Sequence, residues 1–151
     1  MIEGIGRWGN VPMHPDTATG AALLEAAGRL QRERQELVSA GESLRTRRDV
    51  LKRRLDEMRE AVTASAVKRL TTDKGKAPTK VAVKTAVERD EGVKDARRVA
   101  ESNAIDITAN GEHLGLVRSG LRIVGSALEQ RAEESRNSRE QRAIERAQGE
   151  W

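Results

Sequence analysis

The stretch that decides the fold is LLEAAGRLQRERQELVSAGESLRTRRDVLKRRLDEM, residues 23–58. It carries an apolar residue at every seventh position, namely Leu23, Leu30, Leu37, Leu44, Leu51 and Met58. An apolar repeat of seven residues forms one seam along a helix, and a partner helix has to cover that seam. The stretch therefore predicts a long helix, from about residue 17 to residue 70, that packs against a second helix.

A second apolar repeat of the same period follows a turn in the chain. Residues 71–78 contain Gly75, which suits the end of one helix, and Pro78, which suits the first turn of the next. The second repeat comprises Ala86, Val93, Ala100, Ile107, Leu114, Leu121 and Leu128. It keeps its phase through Asn110 and Gly111, which indicates one helix over about residues 79–132. Two helices of similar length and a short turn predict an all-α fold, a long antiparallel helical hairpin that is oligomeric. The hairpin closes either within one chain or by exchange between chains.

The first helix has a second row of seam positions, four residues after each leucine. Arg34, Gly41 and Arg48 interrupt this row, whereas Leu55 and Val62 complete it. We therefore expect the closest packing in the C-terminal half of the helix. Gly41 either allows a bend or a close approach of the partner helix, or is simply a weak helical position.

The two ends of the chain differ from the central hairpin. Residues 1–16 contain three glycines and two prolines, which predicts a flexible N-terminal arm. The arm matches GxGxxG but lacks the strand and helix that a dinucleotide site requires. Its Trp8 either anchors the arm to a neighbouring subunit or partner, or packs within the arm. Residues 133–151 predict a charged C-terminal helix or tail, which is either solvated or serves self-assembly through a small apolar patch at Ile144.

The composition argues against an enzyme. The chain is 34% charged and 36% hydrophobic, and its only aromatic residues are two tryptophans. It has no cysteine, and His14 and His113 lack the spacing of metal ligands. Its carboxylates lie among cations on helical faces, where charge pairing is their usual role. We therefore predict a protein that is not an enzyme and uses no metal or other cofactor. No signal peptide and no membrane segment is expected, and hence no membrane partner.

The first helix also carries a dense run of positive charge. The basic block consists of Arg45, Arg47, Arg48, Lys52, Arg53 and Arg54. The net charge of the chain is only +4, so the position of these cations matters more than the total. Such a surface suits contacts to phosphates, which do not depend on sequence and weaken with salt. The alternative is a charged flank of a coiled coil, balanced by neighbouring carboxylates.

Several short motifs are similar to those of a known family. The segment Val50–Asp56 resembles the Lys-x-Arg-Leu-Asp signature of the UvsY-type recombination mediators of phages. Its later motifs, Lys-Thr…Asp…Val and Leu followed by Lys-Ser, are matched by Lys84, Thr85, Asp90, Val93, Leu114, Arg118 and Ser119. The resemblance covers about residues 50–124. It departs at Glu57 and Met58, where the family often has aromatic residues, and the N-terminal arm has no counterpart.

The resemblance implies a small oligomeric helical protein, ring-forming in the type case, that binds single-stranded DNA. Such proteins help to load a RecA-like recombinase onto strands that are coated by single-strand-binding protein. It implies DNA contacts from Lys52 and Arg54, which the rest of the basic block would support, and a cytoplasmic location in a phage-infected bacterium. Two other hypotheses stay open: a structural coiled-coil protein, such as a phage scaffold or virion component, and an inhibitor or adaptor that presents the hairpin to a host protein.

Overall fold

The computed structural model describes residues 19–149, and within this range the chain is helical and has no strands. The helices are α1 (Gly20–Leu70), α2 (Lys80–Arg89) and α3 (Glu91–Gly149). The predicted all-α class is confirmed, and the described helices have the character of a helical hairpin. The predicted arm over residues 1–16, with Trp8, lies outside the described residues.

Helix α1 begins slightly later than predicted. Thr19 is not helical, and its Oγ1 accepts a hydrogen bond from the backbone N–H of Ala22 at 3.1 Å. A threonine that satisfies a free N–H of the first turn acts as an N-cap. The helix therefore starts at Gly20.

The turn predicted over residues 71–78 is present and is closed by its own hydrogen bonds. The backbone N–H of Gly75 donates to the carbonyl of Thr72 at 2.8 Å, and the N–H of Lys76 donates to Thr72 Oγ1 at 3.1 Å. Gly75 has a φ of +77°, a left-handed conformation that glycine adopts without the cost of a Cβ clash. The glycine thus allows the chain to reverse after α1.

Helix α2 follows this turn directly. Thr79 is its N-cap, and the threonine Oγ1 accepts a hydrogen bond from the backbone N–H of Ala82 at 3.2 Å. The sequence places Pro78 in the first helical turn, but the structure places it one residue before the cap. A proline there is compatible with the helix because it contributes no N–H that would need a partner.

The prediction of one continuous second helix is wrong at Asp90, where the chain divides into α2 and α3. Asp90 has extended backbone angles, with φ −64° and ψ 129°. Its Oδ1 accepts a hydrogen bond from the backbone N–H of Val93 at 3.0 Å, so it caps the start of α3. The apolar repeat does not reveal this break, because Val93 still falls on the buried side of α3.

Helix α3 has no break at Asn110 and Gly111, as the unbroken repeat predicts. It also extends beyond the predicted end at about residue 132 and continues to Gly149. The side chains from residue 132 to residue 149 are all exposed. The predicted C-terminal tail is therefore, as far as the structure describes it, the last part of α3. Its role in self-assembly stays a prediction.

The described chain divides into two compact units. Unit 1 comprises residues 19–39 and 112–149, and unit 2 comprises residues 40–111. Unit 1 contains a continuous apolar core, whose buried members are Leu23, Ala26, Leu30, Val117, Val124 and Ala127. Unit 2 buries Leu51, Ala66, Val87 and Val93 together with the polar side chain of Asn103. The expectation that α1 packs best in its C-terminal half is therefore wrong, since the apolar core lies at its N-terminal half.

The heptad rows read from the sequence face inwards. The six α1 residues from Leu23 to Met58 are all buried or half-buried, and so are the seven residues of the second repeat. A further row in α3, at the same seven-residue spacing, is also buried or half-buried and consists of Asn103, Asn110, Val117 and Val124. Because two of its four residues are asparagines, this row is not recognised as an apolar repeat in the sequence.

Candidate nucleic-acid interface

The basic block lies on α1 within unit 2, and all six of its cations are exposed. Leu44, Leu51 and Leu55 alternate with these cations and turn inwards, with Leu51 only 9% exposed. Burial of these leucines fixes the rotation of the helix about its axis. The same rotation holds the arginines and the lysine in water. The seam and the basic surface are therefore set by one helical register.

Helical geometry distributes the block around the exposed side of α1. Residues that are three, four or seven positions apart share a face of a helix with 3.6 residues per turn. Arg45, Arg48 and Lys52 therefore lie along one flank of the leucine seam. Arg47 and Arg54 lie along the other flank, and Arg53 points away from the seam. The surface is a broad positive band, and no enclosed pocket is needed to bind an extended polyanion.

Most of this charge is not neutralised within the described part of the chain. Arg48 Nε lies 3.3 Å from Asp49 Oδ1, and both side chains are more than half exposed. The other five cations of the block form no ion pair with any carboxylate of residues 19–149. A charge-balanced flank would instead engage nearby Glu42, Asp56 and Glu57, which are exposed and also form no ion pair in this range.

The positive band can bind anions, chiefly through its charge. Exposed arginine and lysine side chains bind phosphates through charge and hydrogen bonds, in a way that salt weakens. Strong binding of single strands usually adds aromatic side chains on which bases stack. Both tryptophans, Trp8 and Trp151, lie outside the described residues, and the chain has no Phe or Tyr. Affinity for a nucleic acid from residues 19–149 therefore has to come from charge.

Several residues of the family resemblance have structural roles. Asp90 caps α3, and Val93 is fully buried beside it. Thr85 Oγ1 donates a hydrogen bond to the carbonyl of Val81, one turn earlier in α2, at 2.8 Å. Lys84 is exposed and lines a groove between α2 and α1. This part of the resemblance therefore reflects the fold as much as a binding surface.

A second group of cations lies outside the basic block, and the sequence did not predict that they come together. Arg59 on α1 and Lys80 and Lys84 on α2 surround an apolar groove in unit 2. The signal was present in α2, where Lys80 and Lys84 are four residues apart, and so are Val83 and Val87. This spacing places a basic stripe beside an apolar stripe on a helix of only ten residues.

The described residues show no arrangement typical of an active site. His113 Nε2 lies 2.9 Å from Glu33 Oε1 in unit 1, a contact that joins α3 to α1. Other carboxylates, such as Glu25 with Arg29, pair with cations on their own helix. Within residues 19–149 no group of three or more His, Asp or Glu side chains is placed to hold a metal ion. In the same range, none of the helices has an apolar stretch long enough to cross a bilayer.

Comparison of the chain with family models, with curated proteins and with solved structures finds no match.

Proposed function

We propose that this protein binds single-stranded DNA through the basic block and acts as a recombination mediator. In this role it helps to load a RecA-like recombinase onto strands that are coated by single-strand-binding protein. The observation that carries the DNA-binding part is the exposure of six cations within ten residues, five of them without a described ion pair. The mediator part rests on the short motifs that resemble UvsY-type proteins.

The proposed contact is electrostatic. Lys52 and Arg54 lie on opposite flanks of the leucine seam, so a strand that crosses the exposed side of α1 meets both. Each phosphate contact is weak, and without stacking platforms the affinity of one chain is modest. Assembly of several chains raises the effective affinity, because the second and later contacts become intramolecular.

The proposed assembly is an oligomer of antiparallel hairpins. Its support in unit 2 is the order of contacts between α1 and α3, where Gly41 adjoins Asn110 and Leu44 adjoins Asn103. The residue numbers in these contacts therefore increase along α1 as they decrease along α3, which is the order of an antiparallel pair. Support for oligomerisation is the exposed end of α3, where Ile144 is 52% exposed. Light scattering of the full chain tests this proposal, and a monomeric mass unaffected by Ile144→Glu would contradict it.

The DNA-binding proposal is tested by charge reversal with a matched control. Lys52→Glu with Arg54→Glu should lower the affinity for a poly-dT oligonucleotide by at least about tenfold at low salt, and should flatten the dependence on salt. The control is Arg32→Glu with Arg34→Glu, which changes the net charge equally at exposed α1 positions in unit 1. Fluorescence anisotropy at several salt concentrations provides the measurement.

Two outcomes would reject the proposed contact. Equal losses in the two double variants would mean that only the net charge matters. Unchanged binding by the Lys52→Glu, Arg54→Glu variant would remove the basic block from the interface. The mediator role needs a further assay, in which the wild-type chain speeds assembly of a RecA-like recombinase on strands that carry single-strand-binding protein and the variant does not.

A structural role as a coiled-coil scaffold or adaptor is the second candidate. It is favoured by the inward-facing heptad rows of α1 and α3. Packing of the helices against each other explains these apolar rows, and no ligand is needed to explain them. Under this hypothesis the chain assembles but does not retain single-stranded DNA at physiological salt. The salt titration described above therefore separates the two candidates.

A further inference from the structure

A groove lies between α2 and the C-terminal part of α1, entirely within unit 2. Its volume is about 660 Å³, which is within the range of sites that bind drug-sized ligands or peptide side chains. It adjoins the turn over residues 71–78, since Pro78 contributes to its wall. The groove is separate in sequence from the basic block at residues 45–54.

The floor of the groove is apolar. Val83 and Val87 of α2 line it from one side, and Val67 of α1 lines it from the other. Val87 is 8% exposed, whereas Val67 is 39% exposed, so the floor is partly open to water. Exposed apolar surface with a polar rim is typical of an interaction site, because covering it releases water from apolar groups.

The rim of the groove is positively charged. Arg59, Lys80 and Lys84 contribute cations, and none of the three forms an ion pair with another residue of the described chain. Glu88 is the carboxylate on this rim, and it is bonded to Arg97 of α3. That hydrogen bond lowers the pKa of Glu88, and the positive charges of Arg97, Arg59 and Lys84 lower it further. The carboxylate of Glu88 is therefore paired with Arg97, and the described lining of the groove has three cations beside this single carboxylate.

A second groove on the other side of α2 shows what is specific about the first. Its wall contains Arg69 and Arg89, but also the carboxylates of Asp90 and Glu91. Its volume is similar, at about 720 Å³, so size does not distinguish the two grooves. The difference is the balance of charge on the rim, with two cations and two carboxylates in the second groove and three cations and one carboxylate in the first.

The chemistry of the first groove selects among polyanions. A nucleic-acid backbone satisfies cations but offers no aliphatic or aromatic side chain to an apolar floor, and this floor has no aromatic residue for base stacking. An acidic peptide with large apolar side chains satisfies both parts of the groove. We infer that the groove framed by Arg59, Lys80 and Lys84 binds an acidic peptide segment of a partner protein, with one or two large apolar side chains seated on Val67, Val83 and Val87.

This inference does not depend on the proposed DNA contact. The acidic peptide uses side chains from residue 59 onwards, whereas the proposed strand contact uses residues 45–54. Loss of one activity therefore leaves the other intact. A protein with both sites could hold a DNA strand and an acidic partner protein at the same time.

The test uses the full chain and two labelled peptides. One is a fluorescein-labelled nine-residue peptide with five Asp or Glu, one Leu and one Phe, and the other has serine in place of the Leu and Phe. In fluorescence anisotropy the first peptide should bind saturably and at least about tenfold more tightly than the serine peptide, since only it covers the apolar floor. Lys80→Glu with Lys84→Glu should weaken the first peptide by at least about tenfold, because like charges then face the carboxylates.

Three further variants make the result decisive. Lys74→Glu with Lys76→Glu is the matched control, because both lysines are exposed in the turn and do not line the groove; it should change affinity less than about threefold. Val67→Ser, at a half-open position of the floor, removes apolar surface without adding a charge, so it should weaken the first peptide but not the serine peptide. Lys52→Glu with Arg54→Glu should leave peptide binding unchanged. Circular dichroism confirms that each variant is helical.

Four outcomes would overturn the inference. The first is no saturable binding of the first peptide up to about 1 mM, the range of very weak association, and the second is equal affinity for the two peptides. The third is an equal loss of affinity in the groove variant and the turn variant. The fourth is displacement of the peptide by poly-dT together with a loss of DNA binding in the groove variant. The last outcome would assign the groove to nucleic acid instead.

Discussion

The two units of the molecule are built from the same two helices but bury different residues. In unit 1 the buried positions are apolar, and Leu23, Leu30, Val117 and Val124 are completely inaccessible to water. In unit 2 the seam includes buried Gly41 and Asn103, and two grooves flank α2. Parts of α1 and α3 thus form an apolar core in unit 1, whereas unit 2 buries apolar side chains together with the polar Asn103.

This difference in buried residues suggests that unit 1 contributes mainly to stability and unit 2 mainly to binding. Apolar burial supplies most of the favourable free energy of folding, so we expect unit 1 to have the greater local stability. Unit 2 contains the basic block, the cationic groove and the helix break at Asp90. Binding surfaces of proteins are often drawn from the less stable regions. The stability of variants in each unit tests this difference.

The largest effect is expected from the core of unit 1. Leu30→Ala removes a side chain with 0% exposure and leaves a cavity, so the free energy of unfolding should fall by about 3 kcal/mol. Leu24→Ala is the control, because Leu24 is 64% exposed on the same helix, and it should change stability by less than about 0.5 kcal/mol. Urea denaturation followed by circular dichroism provides the measurement. Equal effects of the two variants would contradict the description of unit 1.

The next effect concerns the close approach of α1 and α3 in unit 2. A Cβ at Gly41 would lie 2.7 Å from Asn110 Oδ1, so Gly41→Val forces the side chain or the helices to move. We expect the free energy of unfolding to fall by about 2 kcal/mol. Gly28→Val is the control, because a Cβ there meets nothing within 4 Å.

A double-mutant cycle can locate this strain. In an Asn110→Ala background the cost of Gly41→Val should fall by about 1 kcal/mol or more, because the contact atom is gone. An unchanged cost would show that the approach of the backbones, and not the asparagine, makes glycine necessary. A cost no larger than that of Gly28→Val would show that the helices do not approach closely at Gly41.

A smaller effect of opposite sign is expected at Asn103. Its Nδ2 donates to the carbonyl of Leu44 at 3.3 Å, while its buried Oδ1 has no hydrogen-bond partner among residues 19–149. Asn103→Leu removes an unsatisfied polar atom and should raise the free energy of unfolding by about 1 kcal/mol, as judged from the urea midpoint. The asparagine then serves register rather than stability, as polar residues on helical seams often do. A destabilised Asn103→Leu variant would show that unit 2 needs its polar layer to fold.

The smallest effect concerns the ion pair that spans the break at Asp90. The hydrogen bond from Arg97 lowers the pKa of Glu88 below the ordinary value of 4.5. A carboxylate with a lowered folded-state pKa stabilises the protein above the unfolded pKa and loses this contribution as the pH falls. The Tm advantage of the wild type over Glu88→Gln should therefore be present above pH 4.5 and disappear below it. A constant difference between pH 3 and 7 would exclude this linkage.

Local patterns predicted the helical elements well. The seven-residue spacing from Leu23 to Met58 identified the inward face of α1, and Gly75 identified the turn. The continuous phase across Asn110 and Gly111 correctly outweighed two residues that disfavour helix. These features are predictable because they depend on the spacing of side chains along one helix. The exposure of the basic block follows from the same spacing.

Tertiary structure decided the features that depend on a partner helix. The position of the apolar core at the N-terminal half of α1 depends on which α3 residues lie opposite, and the leucine spacing is the same in both halves. The apolar groove between α1 and α2 needs two helices to form. The break at Asp90 is local by contrast, but a single capping side chain marks it and the apolar repeat continues across it. The spacing of residues along the chain predicts the long helices, their inward faces and the exposed basic block, because each is a property of one helix. The place of the apolar core and the cation-rimmed groove between α1 and α2 follow from packing, because each needs residues of two helices.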